Sequence, residues 1–228
     1  MRWLAIDTSG GTTVGVVEAA DSGEMVQHVI RVNPDPRGHV EALTPMIAAA
    51  LADCGMSATD VDAVAVGTGP APFTGLRVGI ATAAAFGRAT GCEVRGVCSL
   101  DAIAHGADHG DGDLVVVADA RRREVYWAAY SGGLGPADPG WRLHEEAVGP
   151  PSDVLDWVSE HGTRVVGPGL AVHPDLVRAD SDPAATVTPL ALVDVTATMV
   201  RAGVPTPLTP LYLRRPDIHA AAGRKRAT

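Results

Sequence analysis

The chain has 228 residues, 46% of them hydrophobic and 20% charged, with a formal net charge of −9. That balance provides for a buried core in one large or two small domains and excludes wholesale disorder. It also argues against a chain that grips nucleic-acid phosphates by itself.

The basic residues cluster locally, at Arg121, Arg122 and Arg123, at Arg214 and Arg215, and in the terminal GRKRAT. Such clusters read first as solvated faces. Cys54, Cys92 and Cys98 are odd in number and form no CxxC pair. A disulfide framework or thiolate zinc site is therefore not expected, and a reduced, cytoplasmic location is. The opening MRWLAIDTSGG lacks the apolar length of a signal peptide, and no run reaches the roughly 18 to 20 apolar residues of a membrane span.

In chain order, WLAID (Trp3–Asp7) reads as a buried strand, TSGG as a turn and TVGVVEA as a second strand, a β-hairpin. EMVQHVIRV is a third strand candidate, and NPDPRG breaks the pattern. From His39 to Ala52 the apolar residues Val40, Leu43, Ile47 and Leu51 fall at helical spacing, with Pro45 starting or kinking the regular part. Val61–Gly67 is a strand, Gly75–Ala89 a helix, CEVRGVCS a strand and LDAIAHG a short helix. After the polar break DHGDGD the opening layout returns: LVVVADARRREVYWAAYS is strand, Asp119, tight turn, strand. WRLHEEAV then reads as a strand and SDVLDWVSEHG as a helix with Ser152 as its N-cap. TRVVG is a strand and LALVDVTATMVRAG a helix, and the end is rich in proline.

Asp7 and Asp119 lie 112 residues apart, about half the chain. Two such hairpins suggest a duplicated α/β unit. The expected division is a lobe over 1–108, a second over 109–216 and a disordered tail over 217–228. Each lobe is a mixed sheet opened by a hairpin, which resembles the actin/hexokinase/Hsp70-like (ASKHA, RNase H-like) superfamily. There the turn after the strand-end aspartate handles phosphate, and Asp7, Thr8, Ser9 and Asp119 are the matching nucleotide-binding candidates. Backbone amides in such a turn can form an anion nest.

GTGPAPFTGLRVG invites a phosphate-loop reading of its own. The spacing refuses it: five residues separate Gly69 from Gly75, and Leu76 and Arg77 stand where lysine and Ser/Thr belong. A dinucleotide GxGxxG begins at Gly67 and Gly69 but lacks its third glycine. Pro70 and Pro72 also remove two amide donors. The helix that follows is apolar on nearly every side, and Gly75, Gly79, Ala83 and Gly87 form a ridge of minimal side chains that permits close helix approach. A core helix packed on its own sheet explains this as well as a shared interface does.

GPAPFTGLRVG, with LAIDTS, HVEALTPMI, VCSLDAIA, DARRREVYWAAY and PLYLRRP, resembles the bacterial TsaB (YeaZ) family, with matches from Leu4 to Pro216. Ala71 stands where that family usually has glycine. The resemblance implies a non-catalytic subunit in the synthesis of threonylcarbamoyladenosine (t6A) at position 37 of tRNAs reading ANN codons. It implies TsaD as the metal-binding, carbamoyl-transferring partner, TsaE as an ATPase that joins the pair, and self-association through the same helical face. The tRNA is then reached indirectly, no cofactor is expected in the isolated chain, and ATP or ADP could sit at the interface of the complex.

The expected interface residues are His39, Leu43, Ile47, Phe73, Thr74, Gly75, Leu76, Gly79, Ile80, Ala83, Phe86 and Gly87. A metal centre of its own would need two histidines at i and i+4 on a helix. His105 and His109 have that spacing, but Gly106, Asp108 and Gly110 make a helix across them implausible. The alternatives are an active ASKHA-type ATPase or small-molecule kinase with Asp7 and Asp119 flanking Mg-ATP, and an M22-like metallopeptidase.

Overall fold

The computed structural model describes residues 1–20, 22–35, 38–107 and 112–214. The boundary expected at 108/109, His109 and the tail expected over 217–228 lie outside them. Strand β1 (Arg2–Asp7) pairs antiparallel with β2 (Thr12–Ala19), which pairs antiparallel with β3 (Met25–Asn33). After helix α1 (His39–Asp53), β4 (Ala63–Gly67) adds to β1 in parallel, with Ile6 beside Val66. Helix α2 (Phe73–Thr90) leads to β5 (Glu93–Val97), parallel to β4, and then to helix α3 (Ser99–Gly106). The first sheet has the order β3-β2-β1-β4-β5.

The second half repeats the plan. Strands β6 (Leu114–Asp119), β7 (Val125–Tyr130) and β8 (Arg142–Gly149) form an antiparallel meander. Helix α4 (Pro151–His161) precedes β9 (Arg164–Val166), which lies parallel to β6, so the order is β8-β7-β6-β9. Helix α5 (Pro189–Arg201) follows. Both sheets thus place the strand after the meander against its first strand, which is the duplicated α/β architecture expected. Among the described residues no helix is long and apolar enough to cross a membrane.

Strands β1 and β4 read as continuous apolar runs because both faces are covered, whereas the edge strand β3 alternates half-buried and exposed residues. Successive side chains alternate between faces. Leu4, Ile6, Val14, Val16, Val64 and Val66 point to α1 and α2, where Leu43, Ile47, Leu76, Ile80 and Ala83 meet them. Trp3, Ala5, Ala63 and Ala65 point the other way, to α3 and α5. Small residues on that side admit α5 closely: a Cβ on Gly15 would overlap the ring of Pro189. Thr188 caps α5, its hydroxyl accepting from the Ala191 amide at 3.1 Å.

The core on the α3/α5 side is continuous with the second sheet, taking in Leu114, Val116, Ala128, Tyr130 and Val166. Helix α5, although late in sequence, therefore packs on the first sheet. The proline-rich end also returns there: the Gly96 amide donates to Thr206 (3.0 Å) and the Leu211 amide to Thr68 (2.9 Å).

Three local expectations are corrected. Helix α2 begins at Phe73, two residues before Gly75, because Pro72 is the last residue outside it. Ser152 does not cap α4. Pro150 stands at the cap and Pro151 is the first helical residue, where a missing amide costs nothing. The faces of α2 are also unlike: Leu76, Gly79, Ile80, Ala83 and Gly87 are buried, whereas Ala81, Ala84 and Ala85 are exposed. Pro45 lies inside α1 on its exposed side.

Candidate functional site

The two hairpin turns face each other across a cleft of about 380 Å³, lined among others by Thr8, Ser9, His39, Thr74, Asp119 and Arg121. Of the four nucleotide candidates, Thr8, Ser9 and Asp119 share this cleft, and Asp7 is buried beneath it. Asp7 accepts from the Ser9 amide (2.9 Å), the Ser9 hydroxyl (2.7 Å) and the Ser99 hydroxyl (2.6 Å). Three of a carboxylate's roughly four acceptor sites are thereby filled from within the chain. Burial pushes the Asp7 carboxyl up, against these hydrogen bonds, which favour its ionised form. Gly67 has no room for a Cβ, which would fall on the Asp7 carboxylate.

The same turn grips α2. The Thr8 hydroxyl donates to the Gly75 carbonyl at 3.0 Å, and a Cβ on Gly79 would overlap it. A Cβ on Gly75 would stand 2.7 Å from Nε2 of His39, whose Nδ1 shares a 2.9 Å hydrogen bond with Thr12. At Gly87 a Cβ would meet Val94. The small-residue ridge of α2 thus serves close approach within this chain, to the β1–β2 turn, to α1 and to β5.

The stretch from Thr68 to Ala71 is buried, and the backbone amides and carbonyls of Thr68 and Gly69 are hydrogen-bonded within the chain. The Ser99 amide donates to the Gly69 carbonyl (2.7 Å), and the Gly69–Pro70 peptide is cis.

This changes the surface that α1 and α2 present. Of the expected interface residues, His39, Leu43, Ile47, Leu76, Gly79, Ile80, Ala83 and Gly87 are buried in the chain's own lobe. Phe73, Gly75 and Phe86 are half-buried, and only Thr74 is exposed. The outward row is a different set: Val40 (68% exposed), Thr44, Pro45 and Ala48 on α1, with Ala81, Ala84 and Ala85 on α2. The helical period was legible, but which side of an almost wholly apolar helix meets the sheet was not.

At the second turn, Asp119 accepts from the Arg121 amide (3.0 Å), lies 3.4 Å from Nε2 of His173 and 3.6 Å from the Arg121 guanidinium. Arg121, Arg122 and Arg123 all have positive φ, at 64°, 54° and 63°. Each non-glycine residue in that region costs about 1–2 kcal/mol.

Sequence reasoning missed two further constellations, since both join residues remote in the chain. Arg77 lies 3.6 Å above the Phe73 ring and donates to the Tyr212 hydroxyl at 2.6 Å. In the second, buried Asp101 accepts from Tyr130 (2.9 Å) and twice from Arg142, which also pairs with Glu146 (2.9 Å). Burial pushes the Asp101 carboxyl up, opposed by the Arg142 guanidinium. Ligand-type atoms of Cys98, Asp101 and Glu146 lie within 4.8 Å of one another, and the cation among them is Arg142. His105, weighed above as a metal ligand, pairs with Asp194 at 2.8 Å.

Comparison with known proteins adds the following. Residues 33–138 match the family model for TsaD, tRNA N6-adenosine threonylcarbamoyltransferase. Uncharacterized proteins of Mycobacterium leprae and Mycobacterium tuberculosis are 44% and 45% identical, each over 94% of this chain. The chain spans 55% of the first relative's length and 92% of the second's. The tRNA threonylcarbamoyladenosine biosynthesis protein TsaB of Escherichia coli K12 is 39% identical over 132 residues, 57% of this chain and 55% of that one. A crystal structure of a Pseudomonas aeruginosa protein with similarity to peptidase YEAZ superposes with a TM-score of 0.74 at 27% identity, covering 93% of this chain and 99% of that one.

Proposed function

The chain belongs to the TsaB-type, Gcp-like family, and from that premise we propose that it is a non-catalytic subunit in t6A synthesis that docks a TsaD-type partner through α1 and α2. The observation that carries this reading is the outward row of the two helices. Val40, Thr44, Pro45, Ala48, Ala81, Ala84 and Ala85 are exposed together on two helices that pack side by side. An ordinary solvent face of a helix is charged. Glu41, Arg77 and Arg88 are exposed at the edges of this row, and the small, uncharged patch between them suits the core of a protein interface, where charges are depleted and the rim is polar.

In this reading metal binding and carbamoyl transfer belong to the partner, TsaE joins the pair, tRNA is the common substrate, and a homodimer uses the same face. ATP or ADP, where held, meets Thr8, Ser9 and Asp119 at the mouth of the cleft. Asp7 supports the turn without touching the ligand. The working compartment is the cytoplasm.

The test is co-elution with TsaD. Ala84→Arg places a guanidinium on the exposed row and is expected to abolish the complex with an unchanged melting temperature. Ala83→Arg, one residue away, puts the same group at a fully buried site and is expected to unfold the chain. An Ala84→Arg chain that still co-elutes with TsaD removes the proposed face.

A further inference from the structure

The β6–β7 turn invites a second reading. A tight hairpin connection with successive positive-φ residues ordinarily uses asparagine, aspartate or glycine. Here three arginines occupy those positions, all exposed, in a chain whose net charge is −9. Strain retained at a turn points to the side chains it displays.

Two of those side chains, Arg121 and Arg122, border a recess of about 240 Å³ lined by Phe73, Tyr126 and Tyr212 together with small and apolar residues, and Arg214 also lines it. Phe73 and Tyr212 lie 4.7 Å apart between ring centroids, tilted by 31°, and the guanidinium of the exposed Arg77 lies over Phe73. Arg214 is anchored by Ala120 O (3.0 Å) and by Glu124, which fixes the rim to the turn. The recess is smaller than the roughly 300–1,000 Å³ of drug-sized ligand sites, a scale that suits a single planar fragment.

We propose that the Arg121–Arg123 turn and the aromatic recess beside it bind single-stranded RNA, with the arginines on successive phosphates and one unstacked base in the recess. Cationic side chains beside stacking surfaces are the recurrent physics of single-strand recognition. An acidic protein segment would use the arginines but leave the aromatic walls without a role. The choice of RNA over DNA rests on the t6A reading above. The surface joins the β6–β7 turn and the 211–214 segment to the first turn of α2 through Phe73 and Arg77; Arg77 lies one helical turn from Ala81 of the outward row, whereas the Arg121–Arg123 turn belongs to neither helix.

The experiment measures fluorescence anisotropy of labelled, unstructured RNA with the full chain across a salt series. The triple substitution R121N/R122N/R123N keeps residues that tolerate positive φ, so its melting temperature is expected to be equal or higher. Its affinity is expected to fall roughly tenfold or more, and its salt slope by about two, near 0.7 per lost phosphate contact. Tyr212→Leu is expected to weaken binding about tenfold with the salt slope unchanged, the signature of stacking.

No RNA binding by the unsubstituted chain at low salt overturns the proposal, as does binding unaffected by the triple substitution. Equal competition by oligoglutamate, or equal affinity for DNA of the same sequence, also overturns it. A chain that binds no RNA yet still co-elutes with TsaD loses this patch alone. A chain that binds RNA through the turn but never meets TsaD loses the subunit reading instead.

Discussion

The two hairpin turns share a layout and differ in what surrounds the aspartate. Asp7 ends a strand covered on both faces, and Gly67 and Ser99 close over it. Asp119 ends a strand at the cleft, with 22% of its side chain exposed and a network of one amide, one imidazole and one guanidinium. The first turn is built from Ser9, Gly10 and Gly11, of which Ser9 reaches inward to Asp7. The second is built from three exposed arginines, one of which, Arg121, also pairs with Asp119. One supersecondary plan, used twice, thus gives a structural lock in one copy and a charged display in the other.

The comparison can be broken most strongly at Asp7. Asp7→Ala removes the acceptor of three hydrogen bonds and leaves the Ser99 hydroxyl and the Ser9 amide short of partners. The expected loss is about 3 kcal/mol, read from urea unfolding midpoints. Asp7→Asn adds a sign to the same test. The folded carboxyl is raised above 3.8, so burying its ionised form weighs on the fold at neutral pH. That cost lifts as pH falls through the raised value towards 3.8, and below the unfolded value nothing further changes. The natural chain should therefore gain stability over that acid window relative to Asp7→Asn; parallel pH profiles would show that Asp7 is not coupled to folding this way.

A smaller effect is expected one shell out. Gly79→Ala inserts a methyl against Thr8, whose hydroxyl is held by Gly75. Overpacking typically costs about 1–3 kcal/mol and outweighs the gain in helix propensity, about 1 kcal/mol at most. Thermal unfolding should fall for Gly79→Ala and not for Gly10→Ala, where a Cβ meets nothing within 4 Å. Least of all is expected at the second turn. Asp119→Ala loses one amide contact, a long 3.4 Å contact to the His173 imidazole and one solvated guanidinium partner, about 1 kcal/mol or less. Equal losses for Asp7→Ala and Asp119→Ala would erase the distinction between lock and display.

Much of this architecture was legible in the chain. WLAID and LVVVAD announced strands covered on both sides, and the repeated strand–aspartate–turn–strand announced the duplication. The start of α2 was misplaced because Phe73 and Thr74 carry no helical signature of their own. Ser152 reads as a cap because its hydroxyl suits one, whereas Pro151 starts the helix one residue earlier. The buried row of α1 and α2 reads as an interface in sequence because apolar periodicity looks the same whether the neighbour is the chain's own sheet or another protein.

What the sequence determined by itself was pattern: the alternation that makes strands, the small residues that require close approach, the hairpin that occurs twice, and the motif that ties the chain to its family. Tertiary structure alone decided facing and company. It put Ala83 inside and Ala84 outside, sealed Asp7 beneath the cleft while leaving Asp119 at its edge, and laid Tyr212 against Phe73 and Arg77. The reason is physical. Periodicity is fixed by local backbone geometry, but burial and partnership depend on which distant segment arrives. In this chain α5 and the 204–211 strap arrive from the second half to complete the first sheet.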